Sequence, residues 1–119
     1  MIQCVESRDE KNPYCSRVCC AEAVKNALEI KRRLPQAKVI IVGRDMRTSG
    51  FREISFQKAL EQGVQFIRHS GKIAPEVLEA NGRLKVKVRD TSANGDLTFG
   101  ADLLVLSVGV APAANNPAL

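Results

Sequence analysis

There is no tryptophan in this chain of 119 residues, and only one tyrosine and four phenylalanines. Single-strand nucleic-acid binders stack bases on aromatic rings set among basic residues. Here 18 Lys and Arg against 13 Asp and Glu leave a formal charge of +5, but the cations are scattered and lack that interleaving. The expectation is a solvated basic face and no nucleic-acid partner. Long apolar runs are also missing, so direct membrane insertion is not expected. No signal peptide is read before the cysteines, so an oxidising compartment is not indicated and a cytoplasmic setting is expected. The lone histidine, His69, leaves no Ser-His-Asp or Cys-His arrangement to read as a nucleophilic centre, and is expected as a polar surface residue. With so few aromatics, the 45% hydrophobic content must build its core from Val, Ile, Leu and Ala, enough for one domain.

No cysteine follows residue 20, and all four fall at Cys4, Cys15, Cys19 and Cys20. Disulfides suit this spacing poorly. Neighbouring Cys19 and Cys20 could pair only in a strained ring, and Cys15 and Cys19 one helical turn apart are also badly placed. Structural zinc usually takes two short Cys-x(2–4)-Cys knuckles, whereas here a Cys-x3-Cys is followed at once by another Cys. An all-thiolate set suits iron–sulfur as well as zinc. The spacing favours a metal or cluster site, iron–sulfur ahead of zinc, with small buried apolar cysteines as the remaining alternative. Arg8, Arg17 and Lys25 lie nearby in sequence and would offset anionic thiolates.

Ile2–Val5 reads as a short buried strand at the very start, as in a single domain cut from a longer protein. Asn12-Pro13 looks like a helix start, with Ser16 an alternative cap. The helix is expected to run to about Leu34, with Cys20, Ala23, Val24, Ala27, Leu28 and Leu34 on its inner face. Val39–Val42 is apolar throughout, as in a parallel strand covered on both faces. A second helix capped by Thr48 or Ser49 should run to about Gln62, with Ile54, Ala59 and Leu60 inward, before a strand over 64–67. Asn81-Gly82 and Asn94-Gly95 signal hairpin turns around the alternating strand Leu84–Val88. Leu103–Gly109 is expected to return to the parallel sheet. Residues 1–110 thus read as one Rossmann-like domain and 111–119 as a loose tail.

This α/β order, a three-layer parallel sheet plus a short antiparallel meander, is similar to the NAD(P)-binding domain of flavin disulfide reductases. Yet the first strand-to-helix turn lacks the Gly-x-Gly-x-x-Gly that lets a pyrophosphate approach a helix start. Cysteines stand there instead, so thiolate ligation is expected to have replaced dinucleotide binding. Residual NAD(P) binding and a zinc-stabilised structural or interaction domain remain as alternatives.

The Cys-x10-Cys-x3-Cys-Cys set, within Ile-Gln-Cys-Val-Glu-Ser-Arg-Asp (2–9) and Pro-Tyr-Cys-Ser-Arg-Val-Cys-Cys (13–20), resembles the A-subunit family of the heterodisulfide reductases and its relatives in anaerobes. Asp45-Met-Arg-Thr48, Gly63–Arg68, Val88–Thr91 and Ala101–Gly109 extend the likeness over nearly the whole chain. The resemblance implies that Cys4, Cys15, Cys19 and Cys20 ligate a [4Fe–4S] cluster exchanging electrons with an FAD held mainly by parts of the protein absent here. It implies as partners the other domains of that flavoprotein and other subunits of a reductase complex, and it matches Lys25 to a lysine beside the flavin ring. It also implies that the parent is an oxidoreductase, with the isolated fragment inactive. The family usually has Gly where this chain has Glu6, and Gly-Lys where it reads Ser49-Gly50.

Overall fold

The run at residues 39–42 is apolar on both sides because it is covered on both sides. In the computed structural model, which describes residues 1–113, strand β2 (Ile40–Gly43) lies inside a four-stranded parallel sheet. Its neighbours are β1 (Ile2–Val5) and β3 (Gln65–Arg68), and β7 (Leu106–Val108) pairs with the far side of β1, giving the order β3-β2-β1-β7. Side chains alternate across a strand. Ile41 therefore meets the helices α1 (Cys19–Arg33) and α2 (Arg52–Glu61) through Ala23, Val24, Ala27 and Ala59. Val42 and the half-buried Ile40 face the other way with Ile2, against Val86 and Val88. Those two valines belong to an antiparallel sheet of β4 (Glu76–Ala80), β5 (Arg83–Asp90) and β6 (Gly95–Ala101), in the order β4-β5-β6. Helices, parallel sheet and antiparallel sheet form the three expected layers.

Alanines at the helix–sheet contact let α1 sit close. Ala27 and Ala59 are fully buried, and Phe56 on α2 meets Phe66 on β3 edge to face, with ring centroids 4.7 Å apart. Beyond α1, Lys31 Nζ donates to the carbonyls of Pro35 and Ala37 at 2.7 and 3.1 Å, so a cation serves the negative end of the helix. Asn81 and Gly82 both have positive φ, as the tight β4–β5 hairpin requires.

Four expectations are corrected. Helix α1 begins at Cys19, not at Asn12-Pro13. Asn12 instead closes a local turn, its N–H donating to Asp9 Oδ1 at 2.6 Å and its Nδ2 to the Glu6 carbonyl, and left-handed Arg17 (φ +64°) prevents any helix from running through. Helix α2 has neither Thr48 nor Ser49 as its cap; it starts after Phe51, while the Thr48 hydroxyl donates to Glu53 Oε2 in its first turn. Its inner face is Phe56 and Ala59, with Ile54 and Leu60 turned outward, and Leu34 ends α1 exposed. The last parallel strand is only Leu106–Val108, and it lies at the sheet edge with Leu106 and Val108 half exposed. Of the tail expected over 111–119, residues 114–119 lie outside the described residues.

Candidate functional site

Residues 6–18 join β1 to α1, and this loop carries or borders all four thiols. Cys4 closes β1, Cys15 sits in the loop, and Cys19 and Cys20 open α1. Cys15 and Cys19 therefore do not share a helix face. The thiols still gather in one region, close enough that charge on Cys15 and Cys19 bears on both Cys4 and Cys20. All four are free, with Cys20 buried and the others half-buried. Among the described residues no three His, Cys, Asp or Glu side chains converge on a single-ion site.

The backbone of this loop is held in unusual conformations. Cys4, Glu6 and Arg8 are left-handed, with φ of +60°, +52° and +59°. For residues with a Cβ this costs about 1–2 kcal/mol each, and such strain collects at functional sites. The end of β7 fastens the loop. Gly109 N–H donates to the Val5 carbonyl at 2.8 Å, beside Cys4, and Val110 N–H donates to Ser16 Oγ at 2.9 Å, beside Cys15. A Cβ on Gly109 would stand 2.9 Å from the Glu6 carbonyl oxygen and 3.1 Å from Ser7 Cβ.

The electrostatics oppose one another. Burial pushes the Cys4 thiol above its ordinary value, adjacent Arg8 pulls it down, and the neighbouring thiols push it up again. Cys20 is likewise raised, by burial first and by the other three thiols after, against the N–H of Arg47. Four thiolates packed together without a cation at their centre repel, which favours the protonated forms. Donors for sulfur are nevertheless present. The Arg17 N–H lies 3.4 Å from Cys15 Sγ, and no side chain caps the start of α1, so its first N–H groups and the positive end of its dipole face this region. Arg8 is anchored by Asp45 at the end of β2. Burial would raise the Asp45 carboxyl, but Arg8 and Arg47 outweigh it and hold the group below the usual carboxylate value.

Of the three basic residues expected beside the cysteines, only Arg8 is held against them. Arg17 is exposed. Lys25 pairs with Glu22, remains largely exposed, and lines a groove between α1 and α2 rather than the thiol region. Sequence reasoning missed Asp45, Ser16 and Gly109 as supports of the loop. Asp45 and Gly109 fall within the stretches that carry the family likeness, which was the available signal.

His69 is also corrected, because it is buried at 5% exposure rather than on the surface. Its N–H continues the β2–β3 ladder by donating to the Gly43 carbonyl at 3.0 Å. Burial, then the charge of Arg44, holds its imidazole below the ordinary histidine value, with the Ile73 carbonyl opposing. The folded protein thus favours the neutral ring. Its contribution to stability is whole above the unfolded value of about 6.5 and is lost as pH falls through the folded value. Denaturation midpoints should therefore drop as the solution is acidified from neutrality, before the carboxylates titrate. His69→Gln should flatten that part of the profile; an unchanged slope would remove His69 as its cause.

No family model matches the chain, but curated relatives do. It is 42% identical to the A-subunit of the ferredoxin:CoB-CoM heterodisulfide reductase of Methanosarcina acetivorans, over 94% of this chain and 14% of that protein. It is 43% identical to the iron-sulfur A-subunit of the CoB–CoM heterodisulfide reductase of Methanocaldococcus jannaschii, over 99% of this chain and 18% of that protein. It is 46% identical to the A-subunit of the H(2)/formate:CoB-CoM heterodisulfide,ferredoxin reductase of Methanococcus maripaludis, over 92% and 17%. Along nearly its whole length, with cysteines gathered where a dinucleotide fold would keep its glycines, the chain is similar to one segment of these heterodisulfide reductase A-subunits, and it spans less than a fifth of their length.

Proposed function

We propose that this chain is an electron-transfer module of a flavoprotein like the A-subunit of the heterodisulfide reductases, and that Cys4, Cys15, Cys19 and Cys20 hold a [4Fe–4S] cluster. The observation that carries this reading is the gathering of all four thiols of the chain around the β1–α1 loop. The donor set fits such a group: four soft ligands and no harder one among them, a nearby guanidinium, and N–H groups at an uncapped helix start. A cluster would give each iron its own thiolate, so its cysteines would ring a core instead of closing on one ion. When bound, the cluster supplies one-electron transfer.

The chain's own residues have definable tasks. The strained turn at Cys4, Glu6 and Arg8 aims the first thiolate. Arg8, fixed by Asp45, places a positive charge beside it and favours the thiolate over the thiol. The Arg17 N–H serves the Cys15 sulfur. Gly109 and Ser16 hold the two cysteine-bearing segments together. FAD belongs to this reading as the cluster's exchange partner in the longer protein, and the exposed Lys25 on α1 would be the lysine that meets it. Cytoplasmic location and docking to other subunits of a reductase complex follow from the same reading. Among the described residues no helix is long and apolar enough to cross a membrane.

Anaerobic reconstitution with iron and sulfide tests the proposal. A brown product with about four irons per chain and an EPR signal on reduction is expected. A colourless protein that takes up one zinc and no iron would replace this reading with the structural-zinc alternative. Binding of NADH would instead support a retained dinucleotide site.

A further inference from the structure

A second polar site lies at the C-terminal ends of β2 and β3, on the far side of Arg8 from the thiols. It is an open pocket of about 570 Å³ lined by Arg8, Arg44, Arg68, His69, Thr91 and Ser92, together with Asp45. Three guanidinium groups against one carboxylate leave two positive charges uncompensated.

The pocket is built, not merely basic. His69 Nδ1 accepts the Gly71 N–H at 3.2 Å, so in the neutral ring the hydrogen resides on Nε2. That Nε2–H is buried and meets no acceptor in hydrogen-bond geometry, although the Ile73 carbonyl lies near the ring. Leaving such a donor unmet costs about 1–3 kcal/mol. Beside it the Arg44 Nε is also buried and without a partner. Arg44 is fixed in place, donating to the Arg8 carbonyl through Nη1 and stacked so closely on Gly71 that a Cβ there would stand 2.5 Å from Arg44 Nε. Arg68 spends its Nε on the Arg44 carbonyl at 2.8 Å and leaves its Nη groups without a hydrogen-bond partner among the described residues. The antiparallel sheet supplies the last wall: Thr91 donates both N–H and hydroxyl to the Arg68 carbonyl, at 2.8 and 3.0 Å.

Every unmet group here is a donor, and the net charge is positive by two. We propose that this pocket binds a phosphoryl dianion, with His69 Nε2–H, Arg44 and Arg68 as its ligands. A phosphoryl group carries about two negative charges and three acceptor oxygens, and it matches the forked guanidinium donors. The proposal goes beyond the electron-transfer reading and does not rest on it, because none of the three ligands touches a thiol.

The test uses the only histidine as reporter. The 119-residue chain, labelled with nitrogen-15 in its histidine ring, is titrated with inorganic phosphate above neutral pH, with and without reconstituted iron. A saturable movement of the Nε2–H resonance is expected in both preparations, with acetate markedly weaker. Arg68→Gln, an exposed position whose amide spectrum reports intact folding, should weaken phosphate binding by about tenfold or more, the loss expected for one charge-assisted hydrogen bond. An Nε2–H that ignores phosphate, or that responds equally in Arg68→Gln or to acetate, overturns the proposal. So does an Nε2–H already bonded to the Ile73 carbonyl in the phosphate-free chain. Failure of iron uptake leaves this result untouched.

Discussion

Replacing any one of Cys4, Cys15, Cys19 or Cys20 with alanine is expected to reduce the iron retained after anaerobic reconstitution and desalting to a small fraction of the wild-type content. Each thiolate would hold one iron of the cluster, so a single loss opens a corner to solvent and exchange. The four substitutions should not be equal in their effect on the fold. Cys20 is the buried one, at the start of α1, where Ala23 and Val24 are also buried. Cys20→Ala therefore also removes core contact, and a lowered thermal midpoint is expected for it. Cys15 lies in the loop, half exposed, so Cys15→Ala should leave the apo fold as it was. Metal analysis and far-ultraviolet circular dichroism on the same samples separate the two effects. Iron content unchanged by Cys15→Ala would show that this residue is no ligand.

The second large effect is expected away from the sulfurs. Gly109→Val places a Cβ 2.9 Å from the Glu6 carbonyl oxygen, and the atom it meets is backbone, which cannot swing aside. Overpacking of this kind costs about 1–3 kcal/mol, and the strand or the loop must shift. Because Gly109 and Val110 tie down the residues next to Cys4 and Cys15, the shift falls on two thiols at once. The variant should unfold at lower denaturant concentration and, while still folded, take up less iron. A variant with wild-type iron content would mean that the β7 end does not position the cysteine loop.

The parallel core was legible because covering a strand on both faces leaves a plain mark: the unbroken apolar run ending at Val42, and the period of Cys20, Ala23, Val24 and Ala27. The Asn81-Gly82 turn was legible for a similar reason, since few residues accept its φ angles. The start of α1 was not. Asn12-Pro13 has the chemistry of a cap, but the Asn12 side chain is spent on the Glu6 carbonyl in a local turn, and Arg17 adopts a left-handed conformation that no propensity signals. His69 misled because a polar residue after a strand normally meets water, whereas here Arg44 and the Gly71–Ile73 turn lie against the ring. Glu6 is the instructive case. Glycine would satisfy a left-handed backbone at no steric cost, and this chain holds that conformation with a glutamate at φ +52°, which no propensity signals. In the candidate site, the cysteine spacing revealed which side chains matter, while the ties from Asp45, Ser16 and Gly109 are long-range and leave no local pattern.

The outermost strand carries a last consequence. Leu106 and Val108 present greasy flanks, and among the described residues β7 has β1 on one side only, so its other border is an open strand edge. Any extended peptide, from a sister molecule or from elsewhere in a complex, can dock there as a fifth rung. Purified by itself, this polypeptide therefore carries a built-in seam for clumping, and the same seam inside an assembly would serve as a joint.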